Sequence, residues 1–272
     1  MRRIRRLLLL TLAAALIPFL PGCSKNDAGG ASGIKPLVIG TDATYPPFET
    51  QNEKGELSGV SIDMGRALAA HLGRPVEFRN INFDGLITAL KSNSIDIVIS
   101  SMTANDERRK SIDFSDPYVK TGLAALVSAK SSVQTQDDLK KPGCRLVVRL
   151  GTTGESYTRD HYPNAAVTAL DSDIACVLEV VKGGVDAWIY DQLSLLRFHN
   201  QYPKETRALL KPLQEEFWAV GLRKGDDALR NQINDFLKDF RAKGGFKDLA
   251  EKYLHKERAL MEAEKIPFVF DL

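Results

Sequence analysis

Polar and charged side chains follow four predicted strands, each at the point where the strand ends. They lie in the segments 41–49, 100–108, 149–155 and 190–192. In chain order the candidates are Asp42, Tyr45, Ser100, Ser101, Thr103, Arg108, Arg149, Gly151, Thr152, Thr153 and Asp191. In open α/β sheets, ligands bind beyond the carboxyl ends of the strands. These segments are therefore the predicted ligand site.

The chemistry of two of these residues suits a zwitterion. The guanidinium of Arg108 can hold a carboxylate through two parallel charge-assisted hydrogen bonds, and Asp191 can hold an ammonium group. Main-chain N–H groups around Ser101, Thr103 and Thr153 can satisfy the remaining carboxylate lone pairs, some of them at helix N-termini. Charges taken out of water must be paired, so a free amino acid is the predicted ligand.

The elements that must position these side chains alternate between strand and helix from Lys35 onward. Buried strands are predicted at 36–40, 76–78, 95–100, 123–128, 145–148, 185–189 and 216–222. Helical periodicity is seen at 60–72, 85–91, 154–160, 172–182, 229–240 and 246–254. Such alternation predicts the α/β class, with mostly parallel sheets covered by helices.

The N-terminus has the features of an export signal. Four arginines precede an apolar run from Leu7 to Leu20, which is shorter than the roughly 20 residues of a membrane-spanning helix. Residues 1–22 are therefore predicted to be a signal peptide. Leu20-Pro-Gly-Cys23 resembles a bacterial lipobox, which implies lipidation of Cys23 and a membrane anchor followed by a tether at 23–33. Ordinary signal-peptidase cleavage nearby is the alternative.

Composition excludes several other classes of protein. The 272 residues carry a formal charge of +2, but without the four arginines of the signal the balance is 33 minus 35, or −2. Nucleic-acid binding relies on clustered positive charge, so none is expected. The four histidines are scattered without metal-ligand spacing, so neither a metal site nor a cofactor is predicted. Cys144 and Cys176 remain after export, and their spacing leaves open whether they form a disulfide.

Seven motifs in order resemble one family. They are 39–49 (IGTDATYPPFE), 59–64 (GVSIDM), 83–90 (FDGLITAL), 96–101 (DIVISS), 151–153 (GTT), 183–187 (GGVDA) and 244–246 (GGF). The chain resembles, from about Pro36 to Leu254, the solute-binding proteins of the polar amino acid type (bacterial extracellular solute-binding protein family 3), the receptors of ABC importers. Ser61 departs from the Asp or Glu usual at its position.

The resemblance implies a two-lobe periplasmic-binding-protein-like fold with a two-strand hinge. Lobe 1 would comprise 34–121 and 218–258, lobe 2 would comprise 122–217, and 259–272 would form a C-terminal tail. Arg108 would bind the α-carboxylate and Asp191 the α-ammonium of a polar L-amino acid. Tyr45 and Phe83 would enclose the ligand side chain, with Asp42 and Arg149 near its tip. A monomer that docks on a membrane permease, in the periplasm or on the outer face of the cell membrane, is expected.

Simpler roles remain open for these residues. Arg108 could belong to a solvated helix face, Asp191 could only cap a helix, and Asp42 could only shape its turn. Tyr45 and Phe83 could be core aromatics, and Arg149 could point away from the cleft.

Two other functions also remain open. An exported cyclohexadienyl or arogenate dehydratase on the same scaffold would need a proton donor, for which Glu155 is the candidate. A sensory input domain is the third alternative.

Overall fold

A computed structural model of the protein describes residues 33–272. The predicted signal peptide, Cys23 and nearly all of the tether lie outside the described residues. Residues 34–272 form one compact unit. Within residues 33–272, every helix is too short or too polar to cross a bilayer. In the same range, no three His, Cys, Asp or Glu side chains are grouped so that they could hold a metal ion.

The described chain contains eleven strands. They are β1 (Leu37–Thr41), β2 (Thr44–Tyr45), β3 (Glu49–Gln51), β4 (Leu57–Ser58), β5 (Val76–Asn80), β6 (Ile97–Val98), β7 (Asp113–Ser128), β8 (Arg145–Arg149), β9 (Ala166–Leu170), β10 (Ala187–Asp191) and β11 (Thr206–Leu222). Two further short segments, Phe83–Gly85 and Gln136–Lys140, are 3-10 turns.

Nine helices accompany the strands in residues 33–272. They are α1 (Val60–His71), α2 (Leu86–Lys91), α3 (Asp106–Arg109), α4 (Thr153–His161), α5 (Asp173–Lys182), α6 (Gln192–Gln201), α7 (Asp227–Ala242), α8 (Gly245–Tyr253) and α9 (His255–Ala263). Helix α5 shows how the local sequence sets these bounds: the hydroxyl of Ser172 caps its first turn, and Gly183 ends it at φ 79°.

The main sheet has eight strands in the order β5-β1-β6-β11-β7-β10-β8-β9. At one end β5, β1 and β6 pair in parallel, and at the other β10, β8 and β9 do so. These two groups are called here the first and second half-sheets. They are joined by the long antiparallel pair β7 and β11, whose register shifts between Leu209 and Gln214. A separate small sheet has the order β2-β3-β4.

The α/β class is confirmed, and the joining pair has the form of the predicted two-strand hinge. The expectation of mostly parallel pairing holds only within the half-sheets. β7 and β11 begin at Asp113 and Thr206, about ten residues before the predicted strands. Their first segments carry charged residues and prolines (Pro117, Pro212), so apolar periodicity did not mark them. The proposed lobe boundaries at 121/122 and 217/218 fall inside these strands and stay predictions.

The structure locates two cysteines and the C-terminal tail, whose roles the sequence left undecided. Cys144 and Cys176 are buried free thiols, and burial raises the pKa of each, to about 11 and about 12. The tail packs into the core: Val269 is buried and its carbonyl accepts a hydrogen bond from the N–H of Lys120 in β7, at 2.9 Å.

Candidate functional site

A cavity lies between the half-sheets, at the carboxyl ends of β1, β6, β8 and β10. Eleven of the twelve predicted binding residues line it: Asp42, Tyr45, Phe83, Ser100, Ser101, Thr103, Arg108, Arg149, Thr152, Thr153 and Asp191. Gly151 lies on the neighbouring cleft instead. The sequence thus identified residues that the fold brings together, while their contacts with a ligand stay predictions.

Arg108 reaches the cavity from the short helix α3. Asn105 caps this helix by accepting the N–H of Arg108, which fixes where the side chain leaves the backbone. The guanidinium donates to the carbonyl oxygens of Thr103 (2.9 Å) and Gly151 (3.1 Å). It also lies 5.2 Å from the ring centre of Phe83. Arg108 is buried, so a solvated helix face is the wrong description.

The charge of Arg108 survives this burial. Removal from water lowers the pKa of Arg108 to about 10, which still leaves the guanidinium protonated at neutral pH. Only two of its five N–H groups donate to protein atoms in these bonds. The remaining N–H groups can therefore donate to an anion in the cavity.

Asp191 reaches the cavity from the second half-sheet. It is the last residue of β10 and the N-cap of α6, where its carboxylate accepts the N–H of Ser194 at 3.0 Å. The same oxygen accepts the hydroxyl of Tyr45. Asp191 is 6% exposed, and burial raises its pKa. The residue both caps a helix and presents a carboxylate to the cavity.

Arg149, the last residue of β8, lines the cavity and lies between two buried acids. Its guanidinium donates to Asp173 (3.0 Å), to Thr44 (3.0 Å) and to Asp42. Both ion pairs are almost fully buried. Burial lowers the pKa of Arg149, but the charges of its neighbours, including Asp173 and Asp42, outweigh it and raise the pKa overall. Arg149 therefore points into the cleft, and it neutralises Asp42.

Asp42 also stabilises its own turn, which is the simpler role that the sequence left open for it. Its carboxylate accepts the hydroxyl of Thr44 at 2.8 Å and the N–H of Phe83 at 3.0 Å, while its N–H donates to Ser100 Oγ at 2.9 Å. These bonds connect the ends of β1 and β6 to the turn at 83–85. Asp42 thus connects the segments beside the first half-sheet by hydrogen bonds, and it also lines the cavity.

Two residues at the edge of the site have left-handed backbone conformations. Ser101 has φ 48°, and Gly151 has φ 74°. A Cβ at Gly151 would lie 3.0 Å from Cβ of Asp84, so glycine lets the segment after β8 approach the first half-sheet closely. This approach brings the Gly151 carbonyl to Arg108.

The aromatic side chains take different places. The ring of Tyr45 lies 5.7 Å from Trp218 and 6.1 Å from Phe48, within the core cluster. Phe83 is half-buried beside the Arg108 guanidinium. Tyr45 and Phe83 both line the cavity, and their enclosure of a ligand side chain stays a prediction.

Five lining residues had not been predicted: Glu49, Leu123, Tyr190, Glu216 and Trp218. Glu49 and Tyr190 stand in the loops that were singled out, so loop position was an available signal. Burial raises the pKa of Glu49 to about 8, so its carboxyl is mostly neutral at pH 7. Ser61, where the resembled family usually has an acid, lies beside this carboxyl.

Comparison with protein families gives one match over most of the chain. The model of the "Bacterial extracellular solute-binding proteins, family 3" matches residues 37–256. The L-cystine-binding protein TcyJ of Escherichia coli (strain K12) is 33% identical over 258 residues, which cover 92% of this chain and 95% of that protein.

Solved structures give the same result. The ancestral amino acid-binding protein AncCDT-1, described as a precursor of cyclohexadienyl dehydratase, is 36% identical with a TM-score of 0.72. The match covers 80% of this chain and 94% of that one. An ancestral arginine-binding protein bound to glutamine is 35% identical with a TM-score of 0.73, over 80% and 97% of the two chains. The fold of this protein is therefore that of the two-lobe amino acid-binding proteins.

Proposed function

Since the chain belongs to the bacterial extracellular solute-binding proteins of family 3, we propose that it captures a polar L-amino acid for an ABC importer. The observation that carries the proposal is the pair Arg108 and Asp191. Buried groups of opposite charge, one beside each half-sheet, line one cavity. A zwitterion placed there would pair with both. According to their names, relatives of this chain bind cystine, arginine or glutamine, which supports a polar ligand.

Binding would close the two lobes around the ligand. Contacts that cross the cavity already join the two sides, from Tyr45 to Asp191, from Arg149 to Asp42 and from Arg108 to Gly151. Only a closed form touches a ligand from both sides, so the ligand shifts the population toward closure. The closed monomer would then dock on the membrane permease.

Thermal unfolding across a panel of ligands tests the proposal. The protein is first unfolded and refolded to remove any bound molecule, and then heated with each of the twenty L-amino acids or L-cystine. A binder at 100 times its Kd adds about 2.7 kcal/mol to the free energy of unfolding. We expect at least one polar amino acid to raise the melting temperature. The proposal is overturned if none does.

A pair of variants localises the binding. Arg108→Ala removes the proposed carboxylate partner, whereas Arg109→Ala removes a neighbouring exposed arginine. The ligand-induced rise in melting temperature should disappear in Arg108→Ala and persist in Arg109→Ala. Equal rises in both variants would remove Arg108 from the site.

A lipid anchor at Cys23 would hold the receptor in the periplasm or on the outer face of the membrane. Mass spectrometry of the mature protein, purified from membranes, should find an acylated Cys23 at its N-terminus. Cys23→Ala should release the protein from the membrane fraction. An unmodified N-terminus downstream of Cys23 would instead indicate ordinary signal cleavage.

The dehydratase alternative gains no support from Glu155. Its carboxylate accepts the N–H of Gly151 at 2.8 Å and pairs with Arg159, and it lies on the neighbouring cleft and not on the cavity. Incubation with prephenate or arogenate should yield no aromatic product. Turnover of either compound would favour the enzyme over the receptor.

A further inference from the structure

Glu216 is a buried acid of the cavity to which the zwitterion proposal gives no role. It lies on the joining strand β11 and is 2% exposed. Its Oε2 accepts the hydroxyl of Thr103 at 3.0 Å. Among the described residues it forms no ion pair within 4.0 Å, unlike Glu215, which points the other way and pairs with Lys120 at 2.9 Å. Glu216 is thus a carboxyl with neutral hydrogen-bond partners.

The polar groups around Glu216 come from several segments of the chain. The hydroxyls of Thr103, after β6, and Thr153, at the start of α4, face it, and Gln214 Nε2 on the same strand is 3.5 Å from its Oε1. Two charges act on it, those of Arg108 and Asp191. Burial raises the pKa of Glu216, and the positive charge of Arg108 opposes that rise. Burial therefore favours the neutral form of Glu216, whereas the charge of Arg108 favours the ionised form.

A ligand carboxylate would change this balance. Thr103, Thr153 and Arg108 are the residues proposed to hold the ligand's α-carboxylate, and all three line the same cavity as Glu216. Thr103 connects the two charged groups directly, because its hydroxyl donates to Glu216 and its carbonyl oxygen accepts from Arg108. Two carboxylates beside one buried guanidinium repel each other strongly, because the interior screens charge poorly. The site can relieve this repulsion by protonating Glu216.

We propose that Glu216 is the counter-charge of Arg108 in the empty site and that it takes up one proton from solvent when the amino acid binds. The carboxylate of Glu216 becomes a carboxylic acid, and the ligand's α-carboxylate replaces it as the partner of Arg108. The inference rests on the proposed function. It makes affinity depend on pH: between the pKa of Glu216 in the empty site and its higher pKa in the occupied site, each pH unit weakens binding by up to about tenfold.

Titration calorimetry measures this proton directly. The probe is the strongest binder among the twenty L-amino acids and L-cystine, titrated between pH 5 and 8 in two buffers of different ionisation enthalpy. If a proton is taken up, the observed enthalpy differs between the buffers in proportion to its number. We expect this number to rise with pH toward one for the native protein.

Three variants assign the proton to one residue. Glu216→Gln should bind with little buffer dependence and a Kd that no longer rises with pH, while Glu216→Asp should keep the uptake. Glu215→Gln, on the opposite face of β11, should behave like the native protein. The inference is overturned if the native protein binds without taking up a proton, or if Glu216→Gln takes up as much. In both cases binding persists, so the proposed function would stand.

Discussion

Tyr45 donates its hydroxyl to the carboxylate of Asp191, a residue 146 positions later in the chain. The two side chains come from opposite sides of the cavity, one following β1 and one ending β10. The phenol thus gives Asp191 a hydrogen-bond partner at the place where we propose that the ligand's ammonium binds.

Loss of this hydroxyl should destabilise the ligand-free protein. Tyr45→Phe leaves the buried Asp191 with one donor fewer, and we expect the free energy of unfolding to fall by about 1–3 kcal/mol. Urea unfolding measures it. Tyr253→Phe, which removes a phenol bond to the more exposed Asp63, is the matched control and should cost less. Equal losses of unfolding free energy in the two variants would mean that the burial of Asp191 does not strengthen the effect of its hydrogen bond.

Arg149 should be essential to stability, because two buried acids depend on it. Arg149→Met leaves Asp42 and Asp173 without their cation, and we expect a loss of about 3–5 kcal/mol in unfolding free energy. Adding Asp42→Asn and Asp173→Asn to the same variant should restore much of that loss. If the triple variant is no more stable than Arg149→Met, unpaired charge is not the cause.

Glu49 should make stability depend on pH. Its pKa is raised on folding from 4.5 to about 8, so between these values the folded state holds a proton that the unfolded state has released. This contribution is complete below pH 4.5 and disappears as pH rises through about 8. In that window the free energy of unfolding should fall by up to about 1.4 kcal/mol per pH unit.

Denaturant unfolding from pH 5 to 8 measures this slope against two variants. Glu49→Gln keeps the shape without the titrating group, and its slope should be flatter. Glu53→Gln changes an exposed carboxyl and should leave the native slope unchanged. A native slope in Glu49→Gln would assign the pH dependence to another group.

The C-terminal tail should contribute to the core. Phe270 is 9% exposed and lies 5.0 Å, centre to centre, from the ring of Phe246 in α8. Phe270→Ala should cost about 3 kcal/mol, because it leaves a cavity. Leu272→Ala, at a residue 50% exposed, should change little. If both changes are neutral, the tail does not pack in solution.

The sequence allowed much of this arrangement to be predicted, since strand ends with polar side chains mark a binding edge in α/β folds. Arg108 and Asp191 were recognised because their charges suit a zwitterion. Glu216 was missed because it stands within β11, where alternation and not loop position decides which side chain faces the cavity. Arg149 could be placed only with coordinates, since its partner Asp173 lies in a helix that the loop argument did not consider.

The central claim is that the two charged ends of one amino acid are held by Arg108 and Asp191. Titration calorimetry of the strongest binder, its α-methyl ester and its Nα-acetyl derivative tests this claim most directly, because each derivative removes one charge and keeps the side chain. We predict that the parent binds and that each derivative binds at least about 100-fold more weakly, a difference of about 2.7 kcal/mol. Either derivative binding as tightly as the parent would contradict the account.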